Sequence, residues 1–517
     1  MTTAKTWPRR WRTPWGMLVL AVVACGARDE LYVDAYAGAG IGNQGGVAGS
    51  GGGGGGGGAA CDAASDCPAP ANECSIAVCA SGACGSTNVP QGTALSQQTP
   101  GDCKLAQCDG QGHVEQIALD TDLPVVDDPC ASAACTDGVP STPPRCSGAT
   151  ALCCQGTCLA GVAQVAATAG YTCARRTDDT LWCWGANSRG QLGDGTTIDK
   201  LLPTQVTALG ASVAEVAVGE LHSCARKTDD TLWCWGANSE GQLGDGTTLD
   251  ELLPTQVSAL GASVAEVAAG AVHSCARKTD DTLWCWGANW FGMLGDGTSV
   301  DEVTPTQVAA LGGAVATVSA RHYETCASKT DNTLWCWGQN YMGELGIGTA
   351  ALHATNQVTA LGASVAEISV GQYHACARMT GNRLWCWGAN WYGEIGDGTM
   401  IERDLPVEVA ALGSLVAEVS GGFGHTCART ADNRLWCWGA NWYGEIGDGT
   451  TGDASLPVEV TALGSMVAEI SAGGAHTCAR KAEGTLWCWG HNSEGQLGDG
   501  STVDQHAPVE VTALGCP

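Results

Sequence analysis

The sequence predicts an all-β protein built from repeated short-stranded units, a propeller or a solenoid, preceded by a small disulfide-rich domain. Three observations carry this. A Trp-Cys-Trp triplet recurs with its cysteine at Cys183, Cys234, Cys285, Cys336, Cys386, Cys437 and Cys488, in steps of 51 residues and one of 50. A period of that length with several short strands per unit marks a propeller or solenoid. Cysteine and glycine are far above ordinary usage, at 29 and 74 residues, and tryptophan outnumbers phenylalanine by 20 to 2.

The N-terminal region carries Lys5, Arg9, Arg10 and Arg12, then the apolar run WGMLVLAVVA from Trp15 to Ala24. That run is short for a membrane span and ends in small residues, so residues 1–25 read as a bacterial secretion signal. Val22-Val23-Ala24-Cys25 resembles a lipobox and predicts lipidation at Cys25. The expected location is across the inner membrane, as an anchored lipoprotein facing the periplasm or the cell surface; the alternative is ordinary cleavage and release. Heavy cysteine use agrees with an oxidising compartment. Residues 26–60, ending in eight glycines from Gly51 to Gly58, cannot bury a core and read as a flexible tether.

Residues 61–158 hold 13 cysteines and few large apolar residues, which predicts a domain folded by crosslinks. CSIAVC from Cys74, CKLAQC from Cys103 and CASAAC from Cys130 form a weak internal repeat. Zinc is disfavoured, because these pairs are too widely spaced and His113 is the one histidine of the segment.

Residues 159–517 are the repeat. In HSCARKTDDTLWCWG from His222, two short strands flank a polar turn, a hairpin signal. The last turn position holds Asp179, Asp230, Asp281, Asn332, Asn382, Asn433 or Gly484, residue types that tolerate a left-handed backbone. A three-residue loop closed by such a residue places Cys224 opposite Cys234, within disulfide reach. The same spacing predicts Cys173–Cys183, Cys275–Cys285, Cys326–Cys336, Cys376–Cys386, Cys427–Cys437 and Cys478–Cys488. The flanking tryptophans point to the other face and are expected to fill gaps between units. The strands that follow, LLPTQV and VAEVAVG, bring the unit to four, which fits a propeller blade.

The pattern His-x-Cys-Ala, a turn, Trp-Gly-x-Asn-x-x-Gly-x-Leu-Gly and then Pro-x-x-Val resembles the regulator of chromosome condensation repeat, over roughly residues 159–517. The resemblance implies a seven-bladed β-propeller. It implies less about function, because that fold serves nucleotide exchange factors, a plant ultraviolet photoreceptor and a secreted bacterial β-lactamase inhibitor. The photoreceptor's Gly-Trp-Arg-His-Thr repeats are replaced here by GELHS, GAVHS, GQYHA, GFGHT and GGAHT. With blade starts at Val162, Val213, Val264, Val315, Val365, Val416 and Val467, the ring is expected to close in seven. Cys516 then falls at the ring position of residue 160, which predicts a Cys158–Cys516 lock, with Cys153 or Cys154 as alternative partners.

Candidate chemistry is sparse. His222, His273, His374, His425 and His476 recur two residues before the first staple cysteine, with Tyr171 and Glu324 in the other blades. The resemblance implies structural histidines bonded to nearby backbone. Aspartates such as Asp194 with Asp199 and Asp245 with Asp250 sit in Gly-Asp-Gly turns where calcium is conceivable, but Ile347 breaks the series, so solvated turns are expected. No metal, cofactor or catalytic group is expected, for no nucleophile–base pair or phosphate loop is present.

One feature breaks the sevenfold symmetry. After Trp-Gly-x-Asn, three blades have Ser188-Arg189, Ser239-Glu240 and Ser493-Glu494. Four consecutive blades instead have Trp290-Phe291, Tyr341-Met342, Trp391-Tyr392 and Trp442-Tyr443. Equivalent loops on neighbouring blades would form an aromatic arc on one rim, the kind of surface that binds proteins or sugars. A net charge of −29 excludes nucleic acid and anionic headgroups as partners. The sequence therefore predicts a non-catalytic, monomeric envelope or secreted propeller that binds an unidentified protein or carbohydrate through Trp290, Phe291, Tyr341, Trp391, Tyr392, Trp442 and Tyr443. Membrane contact is expected only through the lipid anchor. The alternatives are a small-GTPase exchange factor, by family analogy, and a polysaccharide-processing enzyme, which needs a convergent acid pair in a cleft.

Overall fold

The computed structural model describes residues 62–81, 83–100, 102–119, 121, 161–349 and 355–514, with the strand backbones of 134–136, 139–141, 151–154 and 157–160. Cys25, the segments 1–25 and 26–60, and the Cys158–Cys516 bond lie outside these residues. Among them no helix is long and apolar enough to cross a membrane.

The chain divides into two compact units. One contains residues 62–69 and 77–87 among those described and holds the Cys67–Cys84 bond. The other contains residues 70–76 and 88–517, with the Cys74–Cys108 bond and the propeller. Each copy of the weak N-terminal repeat is a two-stranded hairpin: Ser75–Ala80 with Ala83–Asn88, Lys104–Cys108 with Val114–Ala118, and Ala134–Thr136 with Val139–Ser141. Cys74 bonds Cys108 of the next copy, not Cys79 of its own, which is itself disulfide-bonded.

The repeats form seven four-stranded antiparallel sheets, each a meander in chain order. Blade 2 shows the plan: Val213–Val218, His222–Lys227, Leu232–Gly236 and Glu251–Gln256. Blade 4 departs from it, with a fourth strand of only Asn356–Gln357. The turn position that closes each hairpin has positive φ in every blade, from 60° at Asp179 to 90° at Gly484. Its carbonyl has a second use. The Asp179 carbonyl accepts the Val213 amide of the next blade at 3.0 Å, and the same bond recurs around the ring. Gly484 of blade 7 accepts the Val162 amide of blade 1 at 2.8 Å, so the last interface repeats the others.

Strand alternation explains Trp-Cys-Trp. Successive side chains of a strand face opposite ways, so cysteine looks at one neighbouring blade and tryptophan at the other. Cys173 and Cys183 of blade 1 share a core with Trp235 of blade 2, and Cys478 and Cys488 of blade 7 share one with Trp184 of blade 1. The second tryptophan of each triplet is fully buried and donates its indole N–H to the previous blade, as Trp235 does to the Gln191 carbonyl at 2.9 Å. Burying one such side chain contributes roughly 4–6 kcal/mol by area. The first tryptophan is half-buried; Trp233 donates to Thr231 of its own hairpin.

The first strands line the central channel. Near one mouth Glu215, Glu266, Glu367, Glu418 and Glu469 each pair with an arginine of the second strand, as Glu215 with Arg226 at 3.1 Å. The other carboxylate oxygen accepts an amide of the following blade: Glu418 takes Ile470 at 3.1 Å, and Glu469 takes Val165 across the last interface at 3.3 Å. Half-buried beside the channel, Glu215, Glu266, Glu418 and Glu469 have pKa values raised by desolvation, against the pull of their arginines.

Candidate functional site

Two sets of loops meet on the face opposite the hairpin turns: a short one between first and second strands, and a long one between third and fourth. The long loop is wound round a buried asparagine. The Asn187 side chain accepts the Leu192 amide at 3.0 Å and donates to Asp194 at 3.1 Å, while its main-chain amide donates to Asp199 at 2.7 Å. The paired aspartates are thus loop fasteners, and Asp194 also holds Lys200 at 3.1 Å. Among the described residues no group of three His, Cys, Asp or Glu side chains has the arrangement to hold a metal ion.

At the second position after Asn, the main-chain amide donates to a side chain two residues on. In blade 1 Arg189 donates to Gln191, and in blade 2 Glu240 to Gln242, both at 2.9 Å. Blades 4, 5 and 6 have glutamate there instead. Glu394 accepts the Tyr392 amide at 2.8 Å and Glu445 the Tyr443 amide at 2.9 Å. A carboxylate keeps the loop bond and adds an acid to this face. Burial raises both carboxyls to about 7, against the bonds from backbone amides and with the nearby Asp453 carboxylate reinforcing the rise.

Glu394 and Glu445 line a cavity of about 360 Å³ over blades 5 to 7. Its walls include Trp391, Tyr392, Trp442 and Tyr443 from the long loops, and Tyr373 and Phe423 from the short loops. Space for it comes from the short loops: where blades 2 to 5 carry Leu221, Val272, Tyr323 and Tyr373, blades 6 and 7 have Gly424 and Ala475. The cavity wall contains no basic residue.

The seven predicted rim aromatics fall into two groups. Trp391, Tyr392, Trp442 and Tyr443 line the cavity; Trp290, Phe291 and Tyr341 do not. Phe291 packs on Tyr323 and Tyr341, at 5.5 and 5.8 Å between ring centres, and Trp290 leans on Tyr323 at 6.1 Å. The second aromatic of a pair tends to pack on the next blade, as Tyr392 does on Trp442 at 4.6 Å and Tyr443 on His491 at 4.4 Å. The first stays open: Trp391 and Trp442 are 40% and 54% exposed. Sequence reasoning missed Tyr373, Phe423, Glu394 and Glu445. The change from NSEGQLG to NWYGEIG, which pairs the aromatics with glutamate, was a visible signal for the two acids.

Each of the five recurrent histidines is buried and meets a hydroxyl of the next blade; His425 Nε2 lies 2.9 Å from Thr477 Oγ1. The resemblance implied a backbone partner, but the short loop packs its glycine on the ring: a Cβ at Gly422 would lie 2.4 Å from His425 Cε1. The seven cysteine pairs sit in the expected register and are bonded, with Cα atoms 4.1 Å apart in every blade. That spacing belongs to a non-hydrogen-bonded antiparallel pair.

A model of the regulator of chromosome condensation (RCC1) repeat matches residues 178–226, 229–277, 280–327, 382–429, 432–480 and 483–516. A second model of the same repeat matches six segments from 162–191 to 467–496. Both pass over most of blade 4. The ultraviolet-B receptor UVR8 of Arabidopsis thaliana is 31% identical over 339 residues, 65% of this chain and 66% of the receptor. The E3 ubiquitin-protein ligase HERC2 of Homo sapiens is 31% identical over 347 residues, 65% of this chain but only 6% of the ligase. Among solved structures, human WBSCR16 superposes with a TM-score of 0.59 at 20% identity, covering 65% of this chain and 94% of the other. Prp20p of Saccharomyces cerevisiae, studied with its binding to Gsp1p and histones, superposes with a TM-score of 0.58 at 20% identity, covering 68% and 87%.

Proposed function

This chain belongs to the regulator of chromosome condensation repeat family, and from that premise we propose that it is a non-catalytic binding propeller whose partner docks in the cavity of blades 5 to 7. One observation carries the reading: exposed Trp391 and Trp442 flank a cavity where three other blades carry serine. Exposed tryptophans gathered at a concavity are the usual anchors of binding sites. The secretion signal and lipidation at Cys25 that the sequence predicts support a partner, a protein or a carbohydrate, at the cell envelope. Binding of Gsp1p and histones is a property of Prp20p; for this chain a GTPase partner is the alternative by family analogy.

The test is affinity capture from envelope extracts. Trp391→Ala with Trp442→Ala should abolish capture while leaving the melting temperature within about 2 °C, as surface changes do. Trp290→Ala, outside the cavity, should capture normally. Undiminished capture by the double variant rejects the reading. A second reading has its own observation, for a polysaccharide-processing enzyme needs a convergent acid pair in a cleft, and Glu394 and Glu445 both line this cavity. Release of reducing ends from envelope polysaccharide, lost in Glu394→Gln, would favour it over the non-catalytic one.

A further inference from the structure

The chemistry of the cavity narrows its ligand, granted that it is the binding site. Its aromatic wall includes Tyr373, Trp391, Tyr392, Phe423, Trp442 and Tyr443. Ring faces attract cations through their quadrupoles, tryptophan most strongly. The polar groups added to this wall include two carboxyls, Glu394 and Glu445, each holding a loop amide with one oxygen. Sugar sites also stack on aromatic rings, but a sugar needs donors and acceptors spread around it. The charges beyond the wall are mostly of one sign. Asp453 lies near both glutamates and Asp504 near Glu445, while Glu402 accepts the Trp391 indole N–H at 2.7 Å.

Two basic side chains, Arg321 and His491, lie against this wall. The Arg321 guanidinium lies 5.6 Å from the Phe423 ring centre, and His491 stacks on Tyr443. The positive charge of Arg321 acts on Glu220 and on the buried His374, His425 and His476.

We infer that the cavity of blades 5 to 7 binds an alkylammonium group, a quaternary or protonated amine seated among the Trp391, Tyr392 and Trp442 rings and neutralised by Glu394 and Glu445. Ligand charge and glutamate charge must then both matter. Choline and its uncharged carbon isostere 3,3-dimethylbutanol separate the two, titrated into the intact protein at constant ionic strength by calorimetry and tryptophan fluorescence. Choline should bind saturably and at least roughly tenfold tighter than the isostere. Trp391→Ala with Trp442→Ala should remove choline binding. Glu394→Gln with Glu445→Gln, which keeps an acceptor for each loop amide, should weaken choline about tenfold and leave the isostere unchanged.

Choline affinity should also fall as pH is lowered through about 7, where both glutamates gain protons. Equal binding of the isostere, or no choline binding, overturns the inference. If choline fails yet the tryptophan double variant still loses envelope capture, the binding reading stands and only the ligand class is wrong. If capture also survives, both fail.

Discussion

Histidine and hydroxyl form a unit that spans two blades. Thr477 Oγ1 donates its single proton to the Glu445 carbonyl at 2.8 Å, so it must accept from His425, which fixes the imidazole as the neutral Nε2–H tautomer. Burial without a partner for Nδ1 holds His425 at about 3. Blade 4 replaces this histidine by Glu324, and blade 5 replaces the hydroxyl residue by Ala375. In the sequence these look like separate oddities; in the structure they are the two halves of one missing contact. Glu324 is fully buried, with neither carboxylate oxygen hydrogen-bonded, and burial pushes its pKa well above the usual carboxylate range, with Glu344 adding to the rise. Its raised value means that its stability contribution is full below about 4.5 and is lost as pH rises through the folded pKa. Glu324→His with Ala375→Thr should therefore stabilise most at alkaline pH. A double-mutant cycle by urea denaturation at pH 8 should show favourable coupling of about 1–2 kcal/mol between the two changes. Additive single effects would show that the pair does not form.

Within a blade, the hairpin is pinned three times: by the left-handed turn residue, by the disulfide behind it, and by the tryptophans of the third strand. The disulfide also forms part of the next blade's contact surface, as Cys275 and Cys285 do for Trp337. Cys275→Ala with Cys285→Ala should accordingly cost more than the roughly 2–3 kcal/mol expected from closing so short a loop. Urea denaturation at pH 7 measures it, and a loss below about 2 kcal/mol would show that the bond does not contribute to packing. Fit also explains a glycine of the long loop. Gly244 has φ +71°, and a Cβ there would lie 2.5 Å from the Trp286 indole nitrogen. The Leu-Gly or Ile-Gly that follows each Trp-Cys-Trp motif is thus shaped by the tryptophan of the next blade.

The ring closes with the bonds it uses elsewhere. Thr172 of blade 1 meets His476 of blade 7 at 2.8 Å and donates to the Gln496 carbonyl at 2.9 Å, matching Thr426 between blades 5 and 6. Among the described residues no strand is exchanged between blades 1 and 7, since each sheet is made of four consecutive strands. Equivalent bonds predict equivalent cost. Thr172→Val and Thr426→Val should each lose about 1–2 kcal/mol with the same dependence on urea. A shallower dependence for Thr172→Val alone would show that this interface opens first. The proposed binding in turn depends on symmetry being broken. Bulky short loops on blades 2 to 5 and small ones on blades 6 and 7 leave room at one place on the face, and the acidic, aromatic long loops of blades 5 and 6 border it.

The local constraints were legible in the amino-acid order itself. Blade number, hairpin register, the cysteine pairs and the left-handed turn positions depend on residues close in the chain, and seven copies repeat the same message. The sequence also placed Trp391, Tyr392, Trp442 and Tyr443 on one rim. It did not separate them from Trp290, Phe291 and Tyr341, because that division is made by Tyr323, Gly424 and Ala475 on other loops. Nor did it join Glu324 to Ala375, or bring Glu394, Glu445 and Phe423 to one cavity. Each of these depends on which side chains of adjacent blades face each other, and ring geometry sets that. A strand's own alternation says only that a side chain points out of its sheet; the neighbouring sheet decides what it meets.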